Sequence, residues 1–129
     1  MNNNNNNLDG VARQFLEAYF GTLMGSNRKD LINFYTDASC MTYSGSTYKG
    51  LKEISQKIES FSFNTICYDK DNLNVDVQEG PIPGSMLIFV NAQLNMDNEN
   101  TFKFSQVFNV CPNGQGGFYC HNDIFSIVM

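Results

Sequence analysis

Three carboxylates are the residues of this sequence best suited to acid–base chemistry, namely Asp37, Glu59 and Asp123. A carboxylate buried in an apolar cavity has a raised pKa and can exchange protons near neutral pH. Tyr43 or Tyr68 could donate a hydrogen bond to a reacting group beside it. Each acid also has an ordinary structural role, since Asp37 suits a turn before a strand and Asp123 suits a strand bulge. We therefore expect no catalytic residue among them.

Histidine, cysteine and glycine motifs add no catalytic or metal site. His121 is the one histidine, and no carboxylate stands at a spacing that would orient it as a base. The sequence lacks a GxGxxG motif, a P-loop lysine and a nucleophile elbow. We expect buried free thiols, no metal, no cofactor and no enzymatic activity. The cysteines contain no CxxC pair and are Cys40, Cys67, Cys111 and Cys120.

The charge balance restricts the class of partner. The chain carries 13 Asp plus Glu against 8 Lys plus Arg, a net charge of −5, with a pI near 4.6. Nucleic acids and anionic membranes both require clustered Lys and Arg, so neither is an expected ligand. The sequence also predicts no signal peptide and no membrane span, because its longest apolar run is Met86 to Val90. A protein partner with basic groups fits better.

The length of 129 residues suits one domain. Residues 1–7 contain six consecutive asparagines, which cannot bury apolar surface, and are expected to form a disordered tail. Residues 8–129 contain no internal repeat and no linker. They are expected to form a single folded unit.

The first half of the chain has helical periodicity. Apolar residues recur every three or four positions from Asp9 to Met24, which predicts a helix. Asn27 suits the N-cap of a short second helix. The pattern from Leu51 to Ser60 predicts a third helix, with Glu53 and Lys57 forming an i,i+4 ion pair on its outer side.

The second half alternates with the period of strands. Every even position from Met86 to Met96 is apolar, which predicts a strand with one buried face, and Gln106 interrupts the same alternation in the next strand. The strand predicted from about Phe63 to Val77 is loosely patterned and is expected to bend. The other predicted strands are a hairpin at Ser39 to Tyr48, Phe102 to Val110, and Phe118 to Val128. This order predicts an α+β fold, in which a curved antiparallel sheet forms a cone with three N-terminal helices packed on one face.

The last two strands carry apolar side chains on both faces. A sheet that is apolar on both sides needs a second cover, and another copy of the chain can supply one. We therefore expect a homodimer through the open sheet face. The alternative is a curled sheet whose concave face forms a closed core. The residues concerned are Val107, Phe118, Tyr119, Phe125 and Ile127.

The features best suited to binding are an acidic loop and an aromatic set. Asp97 and Glu99 lie two residues apart with no cation nearby in the loop, so they could receive a Lys or Arg of another protein. The aromatic set could form a pocket for an aromatic anchor, and each member could equally belong to the core. Its members are Tyr43, Phe61, Phe63 and Phe125.

Three stretches resemble the nuclear transport factor 2 family. They are Phe34 to Tyr43 (FYTDASCMTY), Leu94 to Glu99 leading into FSQVF, and Cys120 to Phe125 (CHNDIF). The similarity extends from about Leu8 to Ile127 without large gaps. Several motifs agree in order and spacing, which makes the resemblance specific.

The resemblance implies a homodimeric cone of the cystatin-like roll type that imports the GDP form of the GTPase Ran. In the family, an aromatic residue of Ran enters a hydrophobic cavity, acidic residues at the rim pair with basic residues of Ran, and a second surface binds FxFG nucleoporins. The implied locations are the cytoplasm, the nucleus and the nuclear pore. By position, the cavity and its rim would comprise Tyr43, Phe61, Phe63, Ile66, Leu94, Phe125, Asp97 and Glu99.

The sequence departs from the family pattern at two places. Tyr43 replaces the usual cavity tryptophan, and Ser44 replaces the glutamate that pairs with a lysine of Ran. Leu8 stands near the position of a tryptophan that contacts FxFG repeats. The loss of one charge pair predicts weaker Ran binding unless Asp97 and Glu99 compensate.

Two other classes of function use similar folds. Small enzymes such as ketosteroid isomerase and scytalone dehydratase hold ionisable groups inside the cone, whereas the even positions from Met86 to Met96 are all apolar. Adaptor domains in RNA export or stress-granule proteins bind peptides without carrying Ran. Asp97 and Glu99 favour the carrier over the adaptor.

Overall fold

The computed structural model of the chain describes residues 3–61, 65–68 and 73–128. Three helices lie in the first half: α1 (Asn3–Met24), a 3-10 helix (Arg28–Phe34) and α2 (Gly50–Glu59). The second helix is therefore tighter than an α-helix, and the side chain of Asn27 makes no cap hydrogen bond to it. No helix within these ranges has the length and apolarity that crossing a bilayer requires.

The helix α1 begins at Asn3 and so extends into the segment that the sequence predicts as a disordered tail. Its buried face starts at Ala12, and once that face has nucleated the helix, each added residue costs little. Asparagine in a helix is less favourable than alanine by only about 0.7 kcal/mol. The domain boundary at Leu8 stays a prediction.

Seven strands form one curved sheet in the order β2-β1-β7-β6-β5-β3, and β4 also pairs with β5. Their bounds are β1 (Cys40–Tyr43), β2 (Ser46–Lys49), β3 (Ile66–Tyr68), β4 (Asn74–Glu79), β5 (Met86–Met96), β6 (Asn100–Pro112) and β7 (Phe118–Val128). The α+β class with three helices and a curved sheet is confirmed.

The sheet is mixed rather than wholly antiparallel. β1 runs parallel to β7, so that Cys40 pairs with Asn122 and Tyr43 with Phe125. A hairpin alone cannot bring β1 beside the last strand, and the sequence pattern contains no signal for this long-range pairing. The mixed order matters because it places Tyr43 and Phe125 side by side.

The segment predicted as one bent strand forms the two strands β3 and β4. Both strands pair with β5: Tyr68 of β3 pairs with Leu94, and Asn74 of β4 pairs with Asn91. Tyr68 and Asn74 are six positions apart in the chain, whereas their partners on β5 are only three positions apart. The difference of three residues interrupts the register, and the intervening residues 69–72 lie outside the described ranges. The interruption agrees with the loose pattern of this segment.

A β-bulge in β7 decides which of its residues face the core. Asn109 pairs with Asn122 and Val110 with Cys120, so His121 is an extra residue on β7. An extra residue reverses the alternation of side chains beyond it. Cys120 and Asp123 are consequently both buried although three positions separate them.

The core lies between the helices and the inner face of the sheet. The largest side chains that are less than 2% exposed come from α1, the 3-10 helix, α2 and the long strands. Burial of this apolar surface is the main stabilising contribution to the fold. The apolar members are Phe20, Phe104, Phe108, Leu31, Ile54, Met86, Ile88, Val90, Val110 and Cys120.

Candidate functional site

An apolar cavity of about 30 Å³ lies between α1, the end of α2 and the inner face of the sheet. Aromatic rings dominate one wall. Tyr43 and Phe125 stack with centroids 4.6 Å apart, and Phe125 stacks on Phe104 at 5.3 Å. Phe61 lies 5.7 Å from Tyr43. The cavity is lined by Tyr19, Phe20, Leu23, Tyr43, Phe61, Ile66, Leu94, Gln106 and Phe125.

The structure brings together five of the six residues that the family resemblance assigns to a cavity. Phe63, the sixth, lies outside the described residues. Ile66, Leu94 and Phe125 are at most 5% exposed, whereas Tyr43 and Phe61 are half-buried. The last two therefore form the mouth of the cavity, while the others form its walls. The members are Tyr43, Phe61, Ile66, Leu94 and Phe125.

The floor of the cavity is polar, which the sequence pattern did not predict. Gln106 Nε2 donates a hydrogen bond to Asp123 Oδ1 at 2.7 Å, and the Tyr35 hydroxyl donates one to Asp123 Oδ2 at 2.7 Å. The Tyr19 hydroxyl lies 3.4 Å from that Oδ2 and 3.0 Å from the Tyr35 hydroxyl. We call these four residues the Asp123 cluster. The one signal in the sequence was Gln106, because a polar residue at an inward position needs a buried partner.

Burial changes the acidity of the Asp123 cluster. It raises the pKa of Asp123 from 3.8 to about 6, although hydrogen bonds from Gln106, Tyr35 and Tyr19 oppose the change. Burial and the charge of Asp123 raise the pKa of both tyrosines well above 10. The two phenols therefore stay protonated at neutral pH and can donate to the carboxylate.

The interior is thus not wholly apolar, contrary to the expectation from the even positions of β5. Asp123 itself does not line the cavity, because Tyr19 and Gln106 line it and hold the carboxylate behind them. Both of its oxygens accept hydrogen bonds, and the described residues include no buried side-chain oxygen or nitrogen without a partner. The arrangement satisfies a buried acid and does not present it to a ligand.

The other acids and His121 are dispersed. Asp37 Oδ1 accepts the backbone N–H of Leu51 at 3.0 Å, which caps the start of α2. Glu59 is exposed, and the His121 ring lies near Tyr119, with Nδ1 to hydroxyl at 3.4 Å. Among the described residues no three potential metal ligands cluster.

The cysteines differ in exposure. Cys111 and Cys120 are buried, as expected of free thiols, but Cys40 is half-buried and Cys67 is exposed. Burial raises the pKa of both buried thiols, and the charge of Asp123 raises that of Cys120 further. Neither buried thiol is therefore activated as a nucleophile.

The acidic rim lies at the tight turn between β5 and β6. Asp97 has a positive φ of 56°, and its Oδ1 accepts the backbone N–H of Thr65 at 2.7 Å. Its own N–H donates to Thr65 O at 2.9 Å. Asp97 therefore ties the turn to the segment before β3, next to Ile66 of the cavity. Glu99 is exposed on the same turn.

Ser44 lies at the mouth beside Tyr43 and bears no charge. It is exposed, has a φ of 49°, and its N–H donates to Phe125 O at 2.9 Å. This hydrogen bond fixes the backbone of the hairpin turn against β7. The hairpin from β1 to β2 contains no carboxylate that could replace the family glutamate.

The mouth of the cavity also holds a cation, Lys57, which the sequence spacing predicted to pair with Glu53. Lys57 Nζ lies 4.7 Å from the ring centroid of Tyr43, 5.6 Å from that of Tyr48 and 6.0 Å from that of Phe61. The predicted pair with Glu53 is wrong, because Glu53 Oε1 accepts the backbone N–H of Lys49 at 2.9 Å. Among the described residues the salt bridge recorded is Arg13 with Asp9.

Leu8, the predicted nucleoporin contact, lies in α1 and is half-buried against the core. Because Leu8 is only partly buried, part of its apolar side chain remains exposed on α1. The position is separate from the residues that line the cavity.

The outer sheet face carries an apolar row across three strands. Phe89 on β5 pairs with Val107 on β6, which pairs with Ile124 on β7. Phe89 is 41% exposed and Ile124 is 48% exposed. Phe125, one of the residues predicted to make both faces apolar, faces the core and is 5% exposed, and beyond the bulge at His121 it is Ile124 that faces outward. An exposed apolar row of this kind is typical of an interface.

Comparisons with known proteins agree along almost the whole chain. The model of the Nuclear transport factor 2 (NTF2) domain family matches residues 11–127. Nuclear transport factor 2B of Arabidopsis thaliana is 37% identical over 121 residues, covering 92% of this chain and 93% of that protein. The structure of nuclear transport factor 2 from Cryptosporidium parvum has a TM-score of 0.87 and 32% identity, covering 94% of each chain. A putative scytalone dehydratase from Novosphingobium aromaticivorans has a TM-score of 0.76 at 13% identity, covering 100% of this chain and 89% of that one, and so shows the fold alone.

Proposed function

Because this chain belongs to the nuclear transport factor 2 family, we propose that it is a nuclear import carrier for Ran-GDP. It binds FxFG nucleoporins on a second surface and moves between the cytoplasm, the nucleus and the nuclear pore. The chain is not an enzyme, since the relatives it matches at 31–37% identity are transport factors.

The observation that carries the proposal is the apolar cavity with an aromatic mouth and an acidic turn beside it. Tyr43 and Phe61 at the mouth supply aromatic walls against which an aromatic anchor can pack, and such anchors dominate the binding energy of many interfaces. Asp97 is hydrogen-bonded to the backbone of Thr65, the residue that precedes Ile66 of the cavity. Carboxylates at this point attract and orient basic residues of Ran.

An aromatic anchor requires the mouth to widen. The cavity of about 30 Å³ admits little more than one or two water molecules, which is much less than a phenyl ring. Tyr43 and Phe61 are half-buried at the mouth, so we expect their side chains to rotate, which separates Tyr43 from Phe125 and Lys57. Rotamer changes of this size are common when interfaces form.

The proposed carrier is a homodimer that assembles through the outer sheet face. The row of Phe89, Val107 and Ile124 supplies its apolar centre. Leu8 contributes an apolar contact to the nucleoporin site, without the aromatic wall that a tryptophan would provide. Neither the dimer nor the nucleoporin site uses the residues of the cavity mouth.

Capture of Ran on the immobilised chain tests the proposal. Ran-GDP should bind and Ran-GTP should not, because the switch segment that offers the aromatic anchor changes its conformation with the nucleotide. Glu99→Lys and Asp97→Lys should each weaken capture about tenfold or more. Equal capture of both nucleotide states would contradict the proposal.

A matched control separates the charge of Asp97 from its structural role. Asp97→Asn keeps an oxygen that can accept the Thr65 N–H but removes the charge. If charge attracts Ran, Asp97→Asn weakens capture while its unfolding temperature stays close to that of the wild type. Retained capture by Asp97→Asn, with loss only in Asp97→Lys, would assign Asp97 to the turn alone.

A further inference from the structure

The mouth of the cavity holds one positive charge against aromatic rings. Lys57 Nζ lies within 6.0 Å of the centroids of Tyr43, Tyr48 and Phe61, and Tyr43 is the nearest at 4.7 Å. Two of these rings line the cavity. Contacts of this length are attractive through the negative face of each ring and hold the ammonium group at the opening.

The ring contacts leave the charge of Lys57 without an ion-pair partner among the described residues. Glu53 lies one helical turn before Lys57, but its Oε1 accepts the backbone N–H of Lys49. A ring face attracts a cation without neutralising it, so the field of the ammonium group extends to an incoming molecule. Lys57 is also half-buried, which reduces screening by solvent.

The mouth therefore has two sides of opposite charge. Asp97 and Glu99 lie on the turn from β5 to β6, and Lys57 lies on α2. An open groove of about 460 Å³ continues from Lys57 along α2 and β2, and is lined by Thr47, Tyr48, Glu53, Gln56, Lys57 and Ser60. A bound segment can thus contact both sides when its anchor enters between them.

We propose that Lys57 is a further partner-binding residue, which receives a carboxylate flanking the aromatic anchor of the bound protein. The partner segment then has a basic residue on the side of Asp97 and an acidic residue on the side of α2. This inference rests on the proposed function. The acidic rim of Asp97 and Glu99 predicts only basic residues in the partner, whereas Lys57 predicts an acidic residue on the side of α2. When Tyr43 rotates to admit the anchor, the Lys57 ammonium group loses its contact with the Tyr43 ring and pairs with the carboxylate of the partner.

Calorimetric titration of the full chain with Ran-GDP at low salt tests the inference. Lys57→Met keeps most of the apolar stem and should weaken binding about three- to tenfold, and Lys57→Glu should weaken it about 10- to 100-fold. Lys52→Glu is the matched control, because Lys52 is an exposed lysine of the same helix and undergoes the same change of charge. It should change the affinity less than twofold.

Charge reversal in the partner separates contact from structural damage. Each acidic residue that neighbours the aromatic anchor of Ran is changed to lysine in turn, and one of these variants should recover binding to Lys57→Glu at least fivefold. A misfolded mouth could not be repaired in this way. Equal losses for Lys57→Glu and Lys52→Glu, or no recovery by any reversal, would overturn the inference while the wild type still binds. Failure of the wild type to bind Ran-GDP would instead overturn the proposed function.

Discussion

The floor and the mouth of the cavity use polar groups in opposite ways. At the floor, Asp123 is 2% exposed and both of its oxygens accept hydrogen bonds from neighbouring side chains. At the mouth, the Lys57 ammonium group lies against the rings of Tyr43, Tyr48 and Phe61, and Ser44 is exposed. The floor is internally satisfied, whereas the mouth is where we propose that another molecule binds.

This difference separates stability from binding within one cavity. A satisfied buried network resists change because removing one member leaves the others without partners. We expect the half-buried rings of the mouth to rearrange at a smaller cost, because less of their surface is buried. Variants of the floor should therefore change the free energy of unfolding, and variants of the mouth should chiefly change affinity.

Asp123→Ala should have the largest effect on stability. It removes the acceptor of Gln106 Nε2 and of the Tyr35 hydroxyl, so the buried Gln106 amide loses this hydrogen bond and Tyr35 keeps only its contact with the Tyr19 hydroxyl. The free energy of unfolding should fall by about 2–4 kcal/mol, measured by urea denaturation at pH 7.

Asp123→Asn is the control for that substitution. Its oxygen can accept from Gln106 and its amide can donate to Tyr35, so the network is kept without a buried charge. The free energy of unfolding should stay within about 1 kcal/mol of the wild type. A loss as large as that of Asp123→Ala would show that the carboxylate itself is required.

The wild type should become more stable relative to Asp123→Asn as the pH falls. The folded pKa of Asp123, about 6, lies above the ordinary 3.8, so the folded state binds more protons between these values. Stability attributable to this group is therefore highest below pH 3.8 and falls as the pH rises through about 6. Between pH 7 and pH 4.5 the wild type should gain about 2 kcal/mol over Asp123→Asn in urea denaturation. Parallel pH profiles for the two proteins would contradict a raised pKa.

The sequence was sufficient for the helices and long strands because their apolar periodicity is strong. The final strand is an example, predicted from Phe118 to Val128 and observed over the same range. A strand bulge was one of the roles expected near Asp123, but alternation does not reveal that His121 is the residue duplicated against the partner strand. The burial of Asp123 and the position of Ile124 were missed for that reason.

Side-chain partners were predicted less well than backbone elements. The spacing of Glu53 and Lys57 favours an ion pair, but a backbone N–H at the start of α2 and three aromatic rings compete for the two side chains. Those competitors come from β1, β2 and the end of α2, which sequence spacing cannot place. The aromatic wall likewise depends on the parallel pairing of Tyr43 with Phe125.

The smallest predicted effect concerns the backbone of the mouth at Ser44. Ser44 and Gly45 both have positive φ, 49° and 96°, in the two-residue turn between β1 and β2. Asparagine adopts this conformation more readily than serine, and Asn-Gly is favoured in such turns. Ser44→Asn should raise the free energy of unfolding by about 0.5 kcal/mol, and Ser44→Ala should lower it by about the same amount, both measured by urea denaturation. The effect should be small because the side chain is exposed and the backbone N–H of residue 44 still donates to Phe125 O. A change above about 2 kcal/mol in the free energy of unfolding would mean that Ser44 stabilises the fold as the floor does, and the distinction between the two regions would fail.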